Sequence, residues 1–373
     1  MSSTSAPVLS ETITVHAWNK DKSQIAISPN NSDIEIYSTN GQLNDFAKWS
    51  LEYTLTEHDH YVTALDWAPN TNRILSCSQD RNAYVWNFDD SDKMWKPTLV
   101  LLRINRAATC CKWSPKENKF AVGSGAKCVC VCNFEEENNW WVSKLIKKPH
   151  KSTILSLAWH PTDNTLLATA SSDFKARVFS AWIKATDGKD KKAAFGDVIS
   201  EHSAKGWVHD VIYSPSGNTL AFFGHDSTVS FVTGGNEQTV RSPDLPFMSG
   251  LFLSEKAFVA VGYDYTPVAF SNNGKEWVLH GKIDTGDDKK ADTGSSGVRS
   301  AFNKFQTQSR VGAQNLDSSS SALKTRHTNV ITCIRPFKES GGVVSEYSTS
   351  GLDGRVLFWK TDDIKKKFSA FSA

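Results

Sequence analysis

Serine, histidine and aspartate side chains lie close together in this sequence, and they are the residue set of an acyl-transfer enzyme. His58 precedes Asp80 by 22 residues, and Ser76 and Ser78 stand between them. A histidine that is oriented by an aspartate can activate a serine hydroxyl as a nucleophile. Trp86 follows Asp80 by six residues within an alternating apolar stretch. Two hypotheses compete: a catalytic triad, or a buried hydrogen-bond staple in which a serine links the histidine to the indole.

Repetition of this spacing along the chain favours the staple. The predicted staple residues are His58, Asp80 and Trp86, then His150 and Asp173, then His327, Asp353 and Trp359. A nucleophile is needed once, whereas an architectural device can recur in every repeat. An aspartate in a tight turn can accept hydrogen bonds from backbone N–H groups and from a histidine, which compensates the burial of its charge.

Aromatic residues mark a long-range repeat that sets the fold class. The marks are Trp18, Trp67, Trp113, Trp159, Tyr213 and Phe252, at intervals of 49, 46, 46, 54 and 39 residues, and a seventh unit ends at Trp359. Short alternating strands repeated about every 40 to 45 residues are typical of β-propellers, with one four-stranded blade per repeat. The sequence therefore predicts an all-β, seven-bladed β-propeller that forms one domain over residues 1–373. We expect the early strand, residues 12–16, to pair with the last blade and close the ring.

Charge and composition restrict the partners that this protein can recognise. The 373 residues carry 42 Lys and Arg against 40 Asp and Glu, a formal net charge of +2. No overall basic field exists to gather nucleic acid, so partners must be recognised locally. The N-terminal segment lacks the pattern of a signal peptide, and no apolar run approaches the roughly 20 residues of a membrane span. We expect a soluble cytoplasmic protein that binds neither nucleic acid nor membrane.

The cysteine pattern raises the question of a metal site. Cys128, Cys130 and Cys132 alternate along one predicted strand and face the same side. Same-face neighbours on a strand lie roughly 7 Å apart, which suits tetrahedral chelation poorly. We interpret these residues as reduced thiols that pack between blades, and we expect no metal ion and no cofactor.

Two segments interrupt the repeat. Residues 183–200, IKATDGKDKKAAFGDVIS, form a Lys-rich loop insertion that we place between units four and five. Residues 281–324 form a longer insertion between blades six and seven, and its Ser, Gly, Asp and Lys content predicts a flexible segment. Within it, an apolar stripe at i, i+3, i+4 and i+7 predicts a short amphipathic helix at about residues 296–306. The stripe and its flanking cations are Val298, Arg299, Ala301, Phe302, Lys304 and Phe305.

A pair of tryptophans adds a second candidate contact surface. Trp140 and Trp141 directly follow the acidic run Glu135–Glu137 and two asparagines. The pair can anchor an outer strand in the core or form part of an interface, and the sequence leaves both alternatives open.

Three stretches resemble the actin-related protein 2/3 complex subunit 1 family. They are RINRAATCCKWSPKENKFAVGSGAKCVCVCNFEEENNWWVSKLIKKPHKSTILSLAWHP, SSDFKARVFSAWIK and GWVHDVIYSPSGNTLAFFGHDSTVSFV. The resemblance covers nearly the whole chain, including the insertion positions. It implies a seven-bladed WD-repeat propeller in an assembly that nucleates branched actin filaments. It also implies a non-enzymatic scaffold that contacts other subunits, the actin filament and activator peptides, within the actin cytoskeleton.

Two rival functions, and one alternative position of the predicted helix, stay open at this point. A propeller enzyme would need carboxylates or histidines that converge on the central channel, whereas the acids of this sequence are placed mostly in turns and loops. A WD-repeat adaptor of another assembly, such as a ubiquitin ligase or a chromatin complex, would share the same fold. The predicted helix is expected to insert Val298, Phe302 and Phe305 into a groove of actin or of an actin-related subunit, and the alternative is that it folds back on its own propeller.

Overall fold

Seven antiparallel β-sheets follow one another along the chain. The computed structural model describes residues 8–43, 45–189, 193–285 and 325–372. Sheets one to three contain β1 (Val15–Trp18), β2 (Gln24–Ser28), β3 (Ile34–Ser38), β4 (Ser50–Leu55), β5 (Val62–Ala68), β6 (Arg73–Ser78), β7 (Ala83–Asp89), β8 (Met94–Val100), β9 (Ala108–Trp113), β10 (Lys119–Ser124), β11 (Val129–Glu135) and β12 (Trp140–Ile146). Sheets four and five contain β13 (Ile154–Trp159), β14 (Leu166–Ser171), β15 (Lys175–Ser180), β16 (Val198–Ser203), β17 (Val208–Tyr213), β18 (Thr219–Gly224), β19 (Thr228–Thr233) and β20 (Asn236–Arg241). Sheets six and seven contain β21 (Phe247–Phe252), β22 (Ala257–Gly262), β23 (Val268–Asn272), β24 (Trp277–Lys282), β25 (Ile331–Ser340), β26 (Val343–Gly351) and β27 (Val356–Lys360).

The sheets are the blades of a closed ring. The first strand of each sheet contacts the first strand of the next sheet, and β25 contacts β1. Each sheet runs in chain order from its innermost to its outermost strand. The predicted seven-bladed, all-β propeller is therefore confirmed. Its helical elements within the described part of the chain are a 3-10 turn (Phe46–Lys48), α1 (Lys184–Asp187) and α2 (Thr361–Lys367).

Burial follows the position of each strand in its blade. The second strands β10, β18 and β22 are buried at every position, because both of their faces pack against neighbouring blades. Outer strands such as β8 bury few residues, here Trp95 and Val100, because one face meets solvent. This gradient explains why the second strands show continuous apolar runs and the outer strands mix polar and apolar residues.

The tight turn between the second and third strands has the same backbone conformation in six blades. One residue of this turn has a left-handed φ between 59° and 75°; these residues are Arg81, Lys127, Phe174, Ser227, Tyr265 and Gly354. In five of the six turns an aspartate directly precedes it. At Gly354 a side chain would also clash with the Ser10 carbonyl, so this turn requires glycine for both reasons.

The ring closes differently from the sequence prediction. The prediction that residues 12–16 pair with the last blade is wrong, because β1 begins at Val15 and pairs with β2 inside blade one. The apolar residues of β1 are all buried and occupy the innermost position of that blade. The preceding segment crosses blade seven instead, where the Leu9 N–H donates to the Gly354 carbonyl at 2.8 Å.

The Lys-rich segment 183–200 belongs to blade four. Its last residues begin β16, which pairs with β15 as the outer strand of that blade, so the predicted position between units four and five is wrong. The described part is also not a simple loop, since it contains α1 and buries Ile183 in the core cluster between blades three and four. A partly buried Phe195 packs against the same core cluster.

The long insertion lies between blades six and seven, as predicted. β24 ends at Lys282, so the first two residues of the predicted insertion still belong to a strand. The predicted helix at 296–306 lies outside the described residues. After blade seven, α2 and the residues behind it pack Ile364 and Phe371 into the core cluster shared by blades six and seven. No helix in the described ranges is long and apolar enough to cross a membrane.

Candidate partner-binding surface

The staple of blade two joins four side chains. His58 Nδ1 lies 2.8 Å from Asp80 Oδ2, and its Nε2 lies 2.8 Å from Ser76 Oγ. The Trp86 indole N–H donates to the same hydroxyl at 2.9 Å. Asp80 also accepts two backbone N–H groups of the adjoining turns at 3.1 and 2.7 Å. The tight turn, the preceding loop and two strands are thereby fixed to one another.

The buried position of this set decides between the staple and a catalytic triad. Ser76 is fully buried and His58 is only 4% exposed, so a substrate cannot reach the hydroxyl. Burial lowers the pKa of His58, and the hydrogen bond and charge of Asp80 raise that pKa in opposition. The Ser76 hydroxyl already has two hydrogen-bond partners, the His58 imidazole and the Trp86 indole. The arrangement stabilises the blade and offers no free nucleophile.

Blade seven repeats the staple with threonine in place of serine. His327 Nδ1 lies 3.0 Å from Asp353 Oδ2, and its Nε2 lies 2.8 Å from Thr349 Oγ1. The Trp359 indole N–H donates to that threonine at 2.8 Å. The His327 hydrogen bonds help hold the pKa of Asp353 below its usual value, against the raising effect of burial.

Blade four departs from the predicted staple because Arg177 enters it. The Arg177 guanidinium contacts both oxygens of Asp173 at 3.0 and 2.8 Å and lies 3.3 Å from His150 Nδ1. The structure therefore does not hydrogen-bond His150 to Asp173, and His150 Nε2 is buried without a hydrogen-bond partner. Burial, assisted by the Arg177 charge, lowers the pKa of His150 to about 4.

A histidine that the sequence analysis did not identify connects blades one and seven. His16 Nδ1 and Nε2 each lie 2.8 Å from a serine hydroxyl of β26, Ser350 and Ser348. The Trp18 indole N–H donates to Ser348 at 2.9 Å. His16 is fully buried, and burial lowers its pKa well below the usual value. The only sequence signal for this network was the pair Ser348 and Ser350, which share one face of a strand. The spacing within a repeat could not connect them to a histidine more than 300 residues away.

Removal of Asp80 gives a direct test of the staple. Asp80→Ala is expected to lower the free energy of unfolding by about 3 kcal/mol, because His58 and two backbone N–H groups lose a buried acceptor. Asp90→Ala is the matched control, since that side chain is 89% exposed in the next hairpin of the same blade. Urea unfolding of the two variants measures the difference. Equal unfolding midpoints would show that Asp80 is not a structural acceptor.

The central channel holds opposite charges on its inner strands. Its volume is about 1000 Å³. Asp66 lies on β5 and Asp210 on β17, so these two acids are exceptions to the expected placement of acids in turns and loops. Lys112 Nζ lies 3.2 Å from Asp66 Oδ1, and the Arg335 guanidinium donates to two backbone carbonyls at 3.2 and 3.4 Å. These contacts cross from one blade to another.

Asp210 connects three consecutive blades. It accepts hydrogen bonds from Ser156 Oγ at 2.5 Å and from Ser249 Oγ at 2.8 Å, on the first strands of blades four and six. Burial raises the pKa of Asp210, and the two serine donors act against that rise. The channel carboxylates are thus engaged in contacts between blades, which is a structural use of their charge.

One face of the ring is strongly basic in blades two to four. The tight turns and the residues before the first strands meet on this face; for example, the Gly125 N–H donates to the Ala107 carbonyl at 2.9 Å and the Ser172 N–H to the Thr153 carbonyl at 3.0 Å. We name this surface the basic face. Its exposed cationic residues are Arg81, Arg103, Arg106, Lys127, Lys147, Lys148 and Lys151.

The basic face has little compensating negative charge. None of its cations forms an ion pair with another residue in the described ranges. The nearby Asp80 and Asp173 side chains are only 4% and 3% exposed, because they are held inside their turns. Glu57 and Asp59 are the exposed acids of the adjoining loop. Although the whole chain is nearly neutral, this surface can attract a carboxylate-rich partner locally.

Comparison with known proteins agrees with the fold and the repeat. The model of the family "WD domain, G-beta repeat" matches residues 49–87 and 142–180. The chain is 44% identical over 364 residues to actin-related protein 2/3 complex subunit 1A-B of Xenopus laevis, which covers 94% of both chains. It is 44% identical over 374 residues to subunit 1B of Arabidopsis thaliana, covering 96% of both chains.

The chain belongs to the actin-related protein 2/3 complex subunit 1 family. A fungal relative supports the same assignment: subunit 1 of Schizosaccharomyces pombe is 42% identical over 367 residues, covering 92% of this chain and 95% of that protein. The predicted resemblance to this family is therefore confirmed.

The structure describes the cysteines of the rejected metal site in this subunit 1 family member, but not the predicted helix stripe. The stripe Val298, Ala301, Phe302 and Phe305, with Arg299 and Lys304, lies outside the described residues, so its docking role stays a prediction. Cys130 and Cys132 are buried free thiols on β11. In the part of the chain that the structure describes, no group of three or more His, Cys, Asp or Glu is placed to hold a metal ion.

The tryptophan pair is divided between the two alternatives. Trp141 is 7% exposed and packs its ring edge-on against Trp113, with centroids 5.7 Å apart. Trp140 is 55% exposed on the outer surface of the same strand. Period-two alternation assigns one ring to the core and the other to solvent, so each alternative describes one residue.

Proposed function

We propose that this chain is a non-enzymatic scaffold subunit of the actin-related protein 2/3 complex, acting in the cytoplasmic actin cytoskeleton. In this role it supports actin nucleation and branched filament formation through contacts with other subunits, the actin filament and activator peptides. The observation that carries the proposal is its similarity to curated subunit 1 proteins over more than nine-tenths of the chain. The alternative is a WD-repeat adaptor of another multiprotein assembly, such as a ubiquitin ligase or chromatin complex.

The first test is the composition of the assembly. A tagged full-length chain, recovered from cell extract, is expected to bring down the other subunits of an actin-related protein 2/3 complex at equal ratios. Quantitative mass spectrometry of the recovered material measures these ratios. Recovery of ubiquitin-ligase or chromatin subunits in their place would favour the adaptor.

The basic face is the proposed contact for activator peptides. Exposed guanidinium and ammonium groups without intramolecular partners can pair with aspartate and glutamate side chains at no cost in broken ion pairs. Arg106 lies beside the tight turn of blade three, because its Cβ approaches the backbone of Gly125. This turn presents Lys127 next to the same position, so the cations of two segments converge.

Charge reversal tests this contact. Arg103→Glu with Arg106→Glu is expected to weaken binding of an acidic activator peptide about tenfold or more at physiological salt, because attraction becomes repulsion. Fluorescence anisotropy of the labelled peptide with the purified complex measures the affinity. Lys256→Glu with Lys275→Glu is the matched control. These exposed cations lie in turns of blade six, at the ends of the strands that are opposite to the basic face. Equal weakening by both pairs would contradict a specific basic-face contact.

Filament contact is assigned to the predicted helix at 296–306. Phe302→Ala with Phe305→Ala is expected to reduce branch formation strongly, since buried aromatic anchors can each contribute about 2 kcal/mol or more to binding. Branches are counted by fluorescence microscopy with the assembled complex. Ser300→Ala with Asn303→Ala, outside the apolar stripe, is the control. A lowered melting temperature with normal branching would instead show that the helix packs on its own propeller.

A further inference from the structure

The outer hairpins of blades two and three are copies of each other. Residues 87–95, NFDDSDKMW, correspond to residues 133–141, NFEEENNWW, with an offset of one repeat. Both hairpins contain a residue with φ of 53° before the outer strand, at Lys93 and Asn139. Both bury the last tryptophan against a phenylalanine of the same hairpin, with ring centroids 5.3 and 5.4 Å apart. The two hairpins therefore share one backbone conformation and differ in surface chemistry.

The exposed apolar residue is much larger in blade three. Met94 is 50% exposed in blade two, and Trp140 at the matching position is 55% exposed. Phe134 is also partly exposed, at 36%, but it lies opposite Trp141 on the other face of the hairpin. The Trp140 indole N–H donates to Glu135 Oε2 at 3.3 Å, and that oxygen also accepts a hydrogen bond from the side-chain amide Nδ2 of Asn138 at 2.8 Å. The indole is thus oriented by its polar edge while much of the ring faces solvent.

The charges of the two hairpins differ in the same region. In blade two, Lys96 pairs with Asp89 and Asp92, each at 2.5 Å, and Lys93 lies 3.5 Å from Asp90. Blade three has no equivalent cations.

Blade three has neutral residues at the two positions that are lysines in blade two. Asn139 stands where blade two has Lys93, and Val142 stands where it has Lys96. Glu135, Glu136 and Glu137 are all exposed, and none forms an ion pair within the ranges that the structure describes. Blade three therefore combines three unpaired carboxylates with an oriented, exposed indole, whereas blade two neutralises most of its own charge.

We infer that the blade-three hairpin around Trp140 is a docking site for a basic, arginine-containing segment of a partner protein. A guanidinium stacks on aromatic faces and pairs with carboxylates, so Trp140 and the glutamates recognise the same side chain in two ways. Phosphate-bearing partners are repelled by the three carboxylates. This site is separate from the basic face, and it takes a partner of opposite charge.

Oxidative footprinting tests whether the site is covered. The complex is recovered through a tag on the full-length chain and compared with the isolated chain after hydroxyl-radical exposure. Trp140 oxidation is expected to fall about fivefold in the complex, because a docked partner covers the ring. Met94 is the control, since the two residues start from similar exposure, and its oxidation is expected to change less than about twofold. Unchanged Trp140 oxidation would overturn the inference.

The charge of the occupant is tested in the same complex. A photo-crosslinking residue in place of Asn138 is expected to capture a partner segment with net positive charge and at least one arginine, identified by mass spectrometry. A neutral or acidic segment, a second copy of this chain, or its own Lys-rich segment would overturn the inference.

Glutamate replacement links the two measurements. Glu135→Gln with Glu136→Gln and Glu137→Gln is expected to abolish Trp140 protection without changing the melting temperature, since all three side chains are exposed. Asp89→Asn with Asp90→Asn in blade two is the matched control and is expected to leave protection intact. Protection that survives the triple replacement would show that charge does not select the partner.

Discussion

Lys119→Met is expected to lower the free energy of unfolding by about 3 to 5 kcal/mol, because it leaves the Asp187 carboxylate buried without its cation. The Lys119 and Asp187 side chains are 0% and 3% exposed, and Nζ lies 2.6 Å from Oδ2. The ammonium also donates to the Ala181 carbonyl at 3.0 Å and lies 5.2 Å from the centre of the Trp159 ring. This one group connects blade three, blade four and α1.

A matched control separates the ion pair from general effects of removing a lysine. Lys116→Met, in the exposed turn before the same strand, is expected to leave the unfolding midpoint nearly unchanged. Lys119→Met combined with Asp187→Asn is expected to recover at least part of the loss, because the amide keeps an acceptor for the Ile183 N–H without an unpaired charge. Urea unfolding followed by tryptophan fluorescence measures all three variants. The same midpoint for Lys119→Met and Lys116→Met would contradict the assignment.

Sequence periodicity could not predict this ion pair. The two residues lie 68 positions apart, one in a fully buried strand and the other in a segment whose composition predicts a polar loop. Among the residues that the structure describes, no other blade contains an equivalent buried pair, so no internal comparison shows it. The same reason explains the missed His16 network, whose partners belong to the first and last units of the chain.

Features within one blade were more accessible to prediction. The fixed spacing from His58 to Asp80 to Trp86 reflects one loop and one strand–turn–strand unit, which every complete repeat must reproduce. The seven-fold architecture follows from that repetition. A single different residue can nevertheless change the staple contacts of a blade. Arg177 in blade four, at the position of Tyr84 in blade two, takes Asp173 away from His150.

The buried imidazole of His150 in blade four makes the protein sensitive to acid. His150 has a pKa of about 4 in the folded protein against an ordinary value of 6.5, because burial disfavours its charged form. Its folded pKa is depressed, so the unfolded chain binds a proton first as pH falls. The associated stability is fully present above pH 6.5 and is lost on acidification down to about pH 4. The total loss from this residue is about 3 kcal/mol, of which about 2 kcal/mol is expected by pH 5.

Replacement of His150 by leucine is expected to remove this dependence on pH. At pH 7 the stability of His150→Leu is expected to stay within about 1 kcal/mol of the parent, because Nε2 has no hydrogen-bond partner and the Arg177 guanidinium, 3.3 Å from Nδ1, keeps its contacts with Asp173 and Glu201. Between pH 7 and pH 5 the variant is expected to lose about 2 kcal/mol less than the parent, measured by urea unfolding at each pH.

His58→Leu is the informative comparison, because the two histidines occupy equivalent positions in different surroundings. His58 is engaged at both nitrogens, by Asp80 and by Ser76. Its loss is therefore expected to destabilise the protein already at pH 7, by about 1 to 3 kcal/mol for each buried partner left unsatisfied. Equal losses for the two variants at pH 7 would show that Arg177 does not displace the histidine of blade four from its staple. An unchanged pH profile for His150→Leu would show that the buried imidazole does not control acid stability.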